Sequence, residues 1–265
     1  MSRITATFEQ CRHKGRAAFI PFMTAGDPDF ATSLDLLKSL PEAGADIIEI
    51  GMPFSDPMAD GPVIQKANQR ALKNNHGLTS IFKLVRDFRE HDTTTPIVLM
   101  GYFNPVFRYG GETFAWDTAA AGIDGMLIVD LPPEEDGELR PHLRHHDIAM
   151  IRMITPTTDA GRLPVILDGA GGFLYCVAVT GVTGTANTGG AGVDAQIAAI
   201  RRNSDLPVAI GFGISSPEDV RVMGELADGV VVGSALVGEM DADMPQSARE
   251  AYLARMRELR GATGS

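Results

Sequence analysis

The chain has 265 residues, 44% of them hydrophobic and 22% charged, and its formal net charge is −11. That length and composition predict one globular domain over residues 1–265. An acidic chain without a basic stripe excludes a nucleic-acid surface, and no apolar run approaches the roughly 18 residues of a membrane span. The polar N-terminus lacks a signal-peptide core, and the widely separated Cys11 and Cys176 indicate free thiols, so a cytoplasmic location is expected.

Eight short apolar segments recur along the chain, each followed by an amphipathic segment. Their Val-, Ile- and Leu-rich composition predicts parallel strands covered on both faces, at 17–26, 45–51, 96–102, 125–131, 149–154, 172–179, 207–214 and 229–237. Eight strand–helix repeats in about 250 residues predict a (β/α)8 TIM barrel, here with an extra N-terminal helix. A doubly wound sheet is the alternative, but its glycine fingerprint is missing from "TAGDPD" after the first strand.

The second strand carries a carboxylate inside an apolar run, in "IIEIGMPFSDPMADGPVIQ". Strand alternation places Glu49 inward and Ile48 and Ile50 against the helices. Burial would raise the pKa of Glu49 and suit it to proton transfer, while Asp60, on the loop, is expected to be more solvated and ionised. The competing interpretation of Glu49 is a structural carboxylate bonded to backbone donors. Asp56 precedes proline and is interpreted as a turn residue.

The predicted mouth of the barrel is apolar, which favours a flat aromatic ligand. Its candidate residues are Phe22, Met100, Leu127, Met153, Tyr175 and Phe212. None of the five lysines lies on a predicted strand and no histidine lies at a strand end, so neither a Schiff base nor an imidazole-bound metal is expected there. The histidines of "HLRHH" are interpreted as a solvated helix face, with a metal site as the less favoured alternative.

Glycine-bearing turns follow the sixth, seventh and eighth predicted strands, as "GVTG", "GFG" and "GS". Barrels commonly bind phosphate with loops at this position, where glycine allows backbone N–H groups to approach an anion. Ser234 adds a hydroxyl, and a short helix is expected from Ala235. The long loop "TGVTGTANTGGAG" is interpreted as a lid from which Thr183 reaches the centre.

Together, "IEIGMPFSDPMADGP", "GYFNPVFRYG", "DLPPEE", "TGVTGT" and "IGFGIS" resemble the tryptophan synthase α subunit family along nearly the whole chain. The resemblance implies retro-aldol cleavage of indole-3-glycerol phosphate to indole and glyceraldehyde 3-phosphate. It also implies a β-subunit partner in an α2β2 heterotetramer, to which indole is passed. No cofactor is expected on this chain, because the family's pyridoxal phosphate belongs to that partner.

Site roles follow from the same resemblance, position by position. Glu49 matches the general acid/base, and Asp60 matches the carboxylate that stabilises the indole ring. Tyr175 and Thr183 match the substrate pocket, to which the apolar mouth adds Phe22 and Phe212. The phosphate site is matched by Gly184, Gly213, Gly233 and Ser234. Asp56 falls where the family's loop faces the partner. Val179 stands where some members carry an arginine near the lid, so lid closure is expected to differ in detail.

Three other functions stay open at this point. Another phosphate-binding barrel enzyme would need a catalytic residue at a different strand end. A non-catalytic regulatory subunit would have no use for a buried carboxylate, which costs free energy. A free-standing lyase that releases indole without a partner is compatible with every motif above.

Overall fold

A computed structural model describes residues 1–74, 77–177, 191–240 and 245–264. The strands are β1 Ala18–Thr24, β2 Ile48–Gly51, β3 Ile97–Gly101, β4 Gly125–Ile128, β5 Ala149–Met150, β6 Arg152–Ile154, β7 Leu174–Val177, β8 Val208–Gly211 and β9 Gly229–Val232. The first six helices are α1 Arg3–His13, α2 Phe30–Ala43, α3 Pro62–Lys73, α4 Leu78–Arg89, α5 Phe103–Tyr109 and α6 Gly111–Ala121. The others are α7 Arg140–His145, α8 Arg162–Leu167, α9 Ala191–Arg201, α10 Pro217–Leu226, α11 Ser234–Val237 and α12 Pro245–Arg260. Two 3-10 helices cover Pro133–Glu138 and Gly261–Thr263.

The strands form a parallel sheet that curls into a barrel. Their order is β5-β4-β3-β2-β1-β9-β8-β7-β6, with neighbours hydrogen-bonded. The predicted fifth strand, 149–154, divides at Ile151: β5 pairs with β4, and β6 pairs with β7. Strands β5 and β6 are therefore the first and last in the strand order. Since they share one run of the chain, the barrel has eight strand positions. The predicted TIM barrel is confirmed.

Side chains alternate between the barrel interior and the helix layer, as parallel strands with both faces covered require. In β2, Ile48 and Ile50 pack in the helix layer, and Ile47, just before the strand, packs in the interior with Phe22 and Val98. Glu49 lies between Ile48 and Ile50 in the chain and is buried on the interior side. The predicted inward orientation of Glu49 is therefore confirmed.

The N-terminal helix α1 covers one end of the barrel. Ile4 and Phe8 on α1 belong to the interior cluster, and the Phe8 ring lies 5.6 Å from that of Phe173, measured between centroids. An added Cβ on Gly229, the first residue of β9, would meet Phe8 at 3.2 Å. Helix α1 thus closes the N-terminal end of the barrel, and the C-terminal end is left for the site.

The last apolar run, 229–237, is not strand throughout. Strand β9 ends at Val232, and helix α11 begins at Ser234, one residue before the predicted start. The short helix expected beyond the eighth strand is therefore present. No helix in the described part of the chain combines the length and apolar character needed to span a membrane.

Candidate active site

A cavity of about 360 Å³ opens at the C-terminal ends of the strands, within the size range of small-molecule sites. We call it the mouth cavity. Its walls come from β1, β2, β3, β7 and β9, from the loops that follow β2, β8 and β9, and from the starts of α3 and α11. The lining residues are Phe22, Glu49, Ala59, Asp60, Gly61, Ile64, Met100, Tyr175, Phe212, Gly213, Ile214, Val231, Gly233 and Ser234.

Glu49 lies in β2 and is paired in register with Phe22 of β1 and Val98 of β3. Its side chain is only 1% exposed, and its Oε1 atom has no hydrogen-bond partner. Burial disfavours the charged form and raises the pKa of Glu49 from 4.5 to about 8. The carboxyl is therefore largely protonated at neutral pH and has an oxygen free to meet a ligand.

Asp60 lies two residues before α3 and is half-buried. Its Oδ2 atom accepts a hydrogen bond of 3.1 Å from Nδ2 of Asn68, on α3. Desolvation raises the pKa of Asp60, and hydrogen bonds from Asn68 and Tyr102 oppose that rise. Asp60 is therefore more solvated than Glu49, as expected, and hydrogen-bond donors as well as water stabilise its carboxylate.

Three aromatic side chains line the mouth cavity, as predicted. Tyr175 is buried on β7, and its ring meets that of Phe212 edge to face, with 6.0 Å between centroids. Phe212 has φ +75°, a conformation that bulky residues rarely adopt. Strain of this kind is concentrated at functional sites. Phe22, on β1, is the third aromatic residue that lines the cavity.

The glycine turns after β8 and β9 lie at the same cavity. Gly213 follows Phe212 with φ +74°, a conformation that suits glycine. Gly233 immediately precedes α11, whose first residue is Ser234. Thr183 and Gly184, predicted for the lid and the phosphate site, and Val179 lie outside the described residues.

Other sequence candidates lie away from the mouth cavity. Leu127 packs in the barrel interior and Met153 packs against that interior cluster, so neither lines the cavity. Asp56 is exposed and accepts a hydrogen bond from Ser55. The histidines of "HLRHH" lie on and just after α7, and no group of three or more His, Cys, Asp or Glu in the described ranges could hold a metal ion.

Asn68, which meets Asp60, was not predicted from the sequence. Asn68 is 3% exposed and lies beside Ala67 and Ala71 on the buried face of α3. Tyr102, at the end of β3, accepts a hydrogen bond from the Ala59 backbone N–H. A polar residue on an apolar helix face was the one available signal for Asn68. The signal was ambiguous because nothing in the sequence tells which loop that face meets.

Known proteins resemble the chain over its whole length. The family model for the tryptophan synthase alpha chain matches residues 8–263. The structure of tryptophan synthase subunit alpha from Legionella pneumophila is 38% identical, with a TM-score of 0.90, and the match covers 99% of this chain and 98% of that one. A structure from Aquifex aeolicus is 36% identical, with a TM-score of 0.89 and full coverage of both chains. Tryptophan synthase from M. tuberculosis, in an open form with BRD0059 bound, is 31% identical, with a TM-score of 0.88 and coverage of 99% and 98%.

The fold, the mouth cavity and these similarities agree with one another. The family match extends from α1 to the second 3-10 helix and so includes every described lining residue of the cavity. The chain belongs to the tryptophan synthase alpha chain family.

Proposed function

We propose that Glu49 and Asp60 divide the work of the family's reaction, the retro-aldol cleavage of indole-3-glycerol phosphate to indole and glyceraldehyde 3-phosphate. The observation that carries this proposal is the buried Glu49 carboxyl, whose Oε1 has no partner although it faces a cavity shared with Asp60. A purely structural glutamate would be expected to have both oxygens bonded to buried donors.

In the proposed reaction the protonated Glu49 donates its proton to the indole carbon that bears the glycerol chain. The ring then carries positive charge, which the Asp60 carboxylate stabilises through a hydrogen bond from the ring N–H. Glu49, now ionised, removes the proton of the hydroxyl next to the ring. The carbon–carbon bond breaks, its electrons return to the ring, the hydroxyl becomes an aldehyde, and Glu49 is protonated again.

Different parts of the mouth cavity suit the two ends of this substrate. Phe22, Tyr175 and Phe212 offer apolar faces and edges for the indole ring. Gly213, Gly233 and Ser234 offer backbone N–H groups and a hydroxyl for the phosphate. Thr183 and Gly184, which lie outside the described residues, are assigned to the same pocket and phosphate site by sequence motif and resemblance alone.

A β subunit is the proposed partner, in an α2β2 assembly that receives indole and carries the pyridoxal phosphate. Two exposed apolar side chains support a partner surface near the mouth: Met58 after β2 is 81% exposed, and Phe107 after β3 is 59% exposed.

In the proposed reaction, the groups of this chain that act on the substrate are the carboxyl groups of Glu49 and Asp60. Cys11 and Cys176 are free and buried, which supports the proposed cytoplasmic location.

The test is indole release from indole-3-glycerol phosphate by the purified chain, with and without a tryptophan synthase β subunit. We expect slow release alone and strongly faster release with the partner. Fast release without the partner would identify a free-standing lyase instead. Ligand binding without release under either condition would identify a regulatory subunit and overturn the role of Glu49.

A further inference from the structure

Helix α3 carries a buried amide where its neighbours on the same face are alanines. Asn68 is 3% exposed, beside Ala67 and Ala71. An amide withdrawn from water costs free energy unless it is hydrogen-bonded. Its Nδ2 atom lies 3.1 Å from Oδ2 of Asp60, eight residues earlier in the chain. The hydrogen bond to the Asp60 carboxylate therefore offsets the free-energy cost of burying this amide.

The helix that carries Asn68 is itself anchored to the barrel. Arg70 on α3 makes two hydrogen bonds, of 2.6 and 2.7 Å, with the carboxylate of Asp27 in the loop after β1. Just beyond the helix, Nδ2 of Asn74 donates to the Pro28 carbonyl oxygen at 2.7 Å. Asn68 is thus presented from a fixed element, and its amide constrains the orientation of the Asp60 carboxyl.

The charged and titratable groups around Asp60 come from several elements. Tyr102 approaches from the end of β3, and its hydroxyl accepts the Ala59 N–H at 3.1 Å. Glu49 from β2 and Tyr175 from β7 line the same cavity. Among the described residues that line this cavity, none is a lysine, arginine or histidine. Neutral donors therefore replace the water that Asp60 has lost.

A hydrogen bond from an amide to an ionised carboxylate is stronger than one to the neutral acid. The bond from Asn68 therefore favours the anion over the protonated acid. In the reaction proposed above, Asp60 must be an anion at the moment when the ring becomes positive. The hydrogen bond from Asn68 therefore favours the form of Asp60 that the proposed reaction requires.

We propose that Asn68 is a positioning residue, which holds the Asp60 carboxylate oriented and ionised toward the substrate ring. This inference rests on the proposed role of Asp60. It assigns to α3 a task in the reaction that is separate from binding either end of the substrate.

The test is the pH profile of indole release in Asn68→Leu, which keeps a similar side-chain size and removes the donor. Asn68→Ala is the second removal, in case leucine is not accommodated. We expect kcat to fall about tenfold near neutral pH with a smaller change in KM, and the acidic limb of the profile to move to higher pH. The deficit should shrink as the pH rises, since higher pH restores the anion.

Gln65→Leu is the matched control. Gln65 lies on the same helix and its Nε2 atom donates to Asp60 at 2.8 Å, but to the backbone carbonyl oxygen instead of the carboxylate. We expect this variant to keep the position of the acidic limb. A deficit in Asn68→Leu or Asn68→Ala that is constant with pH would mark a merely structural role and overturn the inference.

A second measurement is independent of turnover. The Asp60 carboxyl carbon, followed by NMR in protein labelled with ¹³C-aspartate, should titrate at higher pH in both Asn68 variants than in the wild type or Gln65→Leu. Unchanged titration would overturn the inference even if activity fell. Asp60→Asn, assayed in parallel, distinguishes failure of the two proposals. If Asp60→Asn keeps its turnover, the proposed role of Asp60 is wrong. If Asp60→Asn is inactive but the Asn68 variants show no shift in pH profile or titration, only the inference about Asn68 is wrong.

Discussion

The hydroxyl of Tyr175 occupies the space where a side chain at position 211 would begin. A Cβ added to Gly211 would lie 2.0 Å from Tyr175 Oη and 2.5 Å from its Cζ. The two residues lie on the adjacent parallel strands β7 and β8, where Val177 pairs in register with Gly211. The lack of a side chain at Gly211 is therefore what allows the Tyr175 ring to reach the mouth cavity.

Gly211→Ala is expected to displace the Tyr175 ring. Overpacking of this kind costs about 1–3 kcal/mol of unfolding free energy, and the shifted ring should also weaken substrate binding. Urea unfolding and substrate titration measure the two effects. Gly233→Ala is the stability control, because its Cβ would lie at an ordinary 3.8 Å from Phe22. Equal losses of stability in the two variants would contradict the steric account.

The buried Glu49 should make stability depend on pH. Its pKa in the folded state is about 8, against an ordinary 4.5. Between these values the folded state binds more protons than the unfolded state, so the free energy of unfolding falls as the pH rises, by up to about 1.4 kcal/mol per pH unit. Urea unfolding at several pH values, compared between wild type and Glu49→Gln, isolates this contribution. The variant should lack this slope, and identical slopes would show that Glu49 is not buried as described.

Glu49→Gln should abolish cleavage and largely keep substrate binding. The substitution preserves the shape of the side chain and removes proton transfer, whose loss typically costs about 10²–10⁴-fold in rate. Single-turnover indole release and equilibrium binding of indole-3-glycerol phosphate separate the two properties. A variant with near-wild-type turnover would remove Glu49 from the mechanism.

Asp60→Asn should lose most activity by a different route, since an amide does not supply the negative charge that stabilises the positive ring. We therefore expect kcat to fall while the acidic limb assigned to Asp60 disappears from the pH profile. Steady-state assays across the pH range test this. Persistence of that limb in Asp60→Asn would assign it to another group.

The ion pair of Arg70 and Asp27 should contribute strongly to stability, because Asp27 is only 2% exposed. Arg70→Met leaves this buried carboxylate without its two hydrogen bonds, which is expected to cost about 3–5 kcal/mol of unfolding free energy. The double variant with Asp27→Asn should lose less. Arg221→Met is the control: Arg221 pairs with the exposed Glu218 and Glu225, so about 1 kcal/mol or less is expected. Urea unfolding of the wild type and these three variants measures the differences in unfolding free energy.

Much of the fold could be predicted from local pattern. Apolar runs and amphipathic segments indicated the eight strand positions, and alternation within β2 indicated the inward orientation of Glu49, because strand period and burial are local properties of the sequence. Pattern did not reveal the break at Ile151. That break arises because the two halves of the run pair with different neighbours, β4 and β7.

The sequence by itself determined the barrel, the inward carboxylate at Glu49 and the glycine turns near the mouth, since each depends on residue type and spacing along one segment. Only the tertiary structure decided what surrounds Asp60 and Tyr175. Asn68 meets Asp60 and Gly211 makes room for Tyr175 because separate elements pack together, and both contacts depend on side-chain directions that periodicity does not encode. The two carboxylates could be foreseen from the chain, whereas the amide donor that meets Asp60 follows from packing.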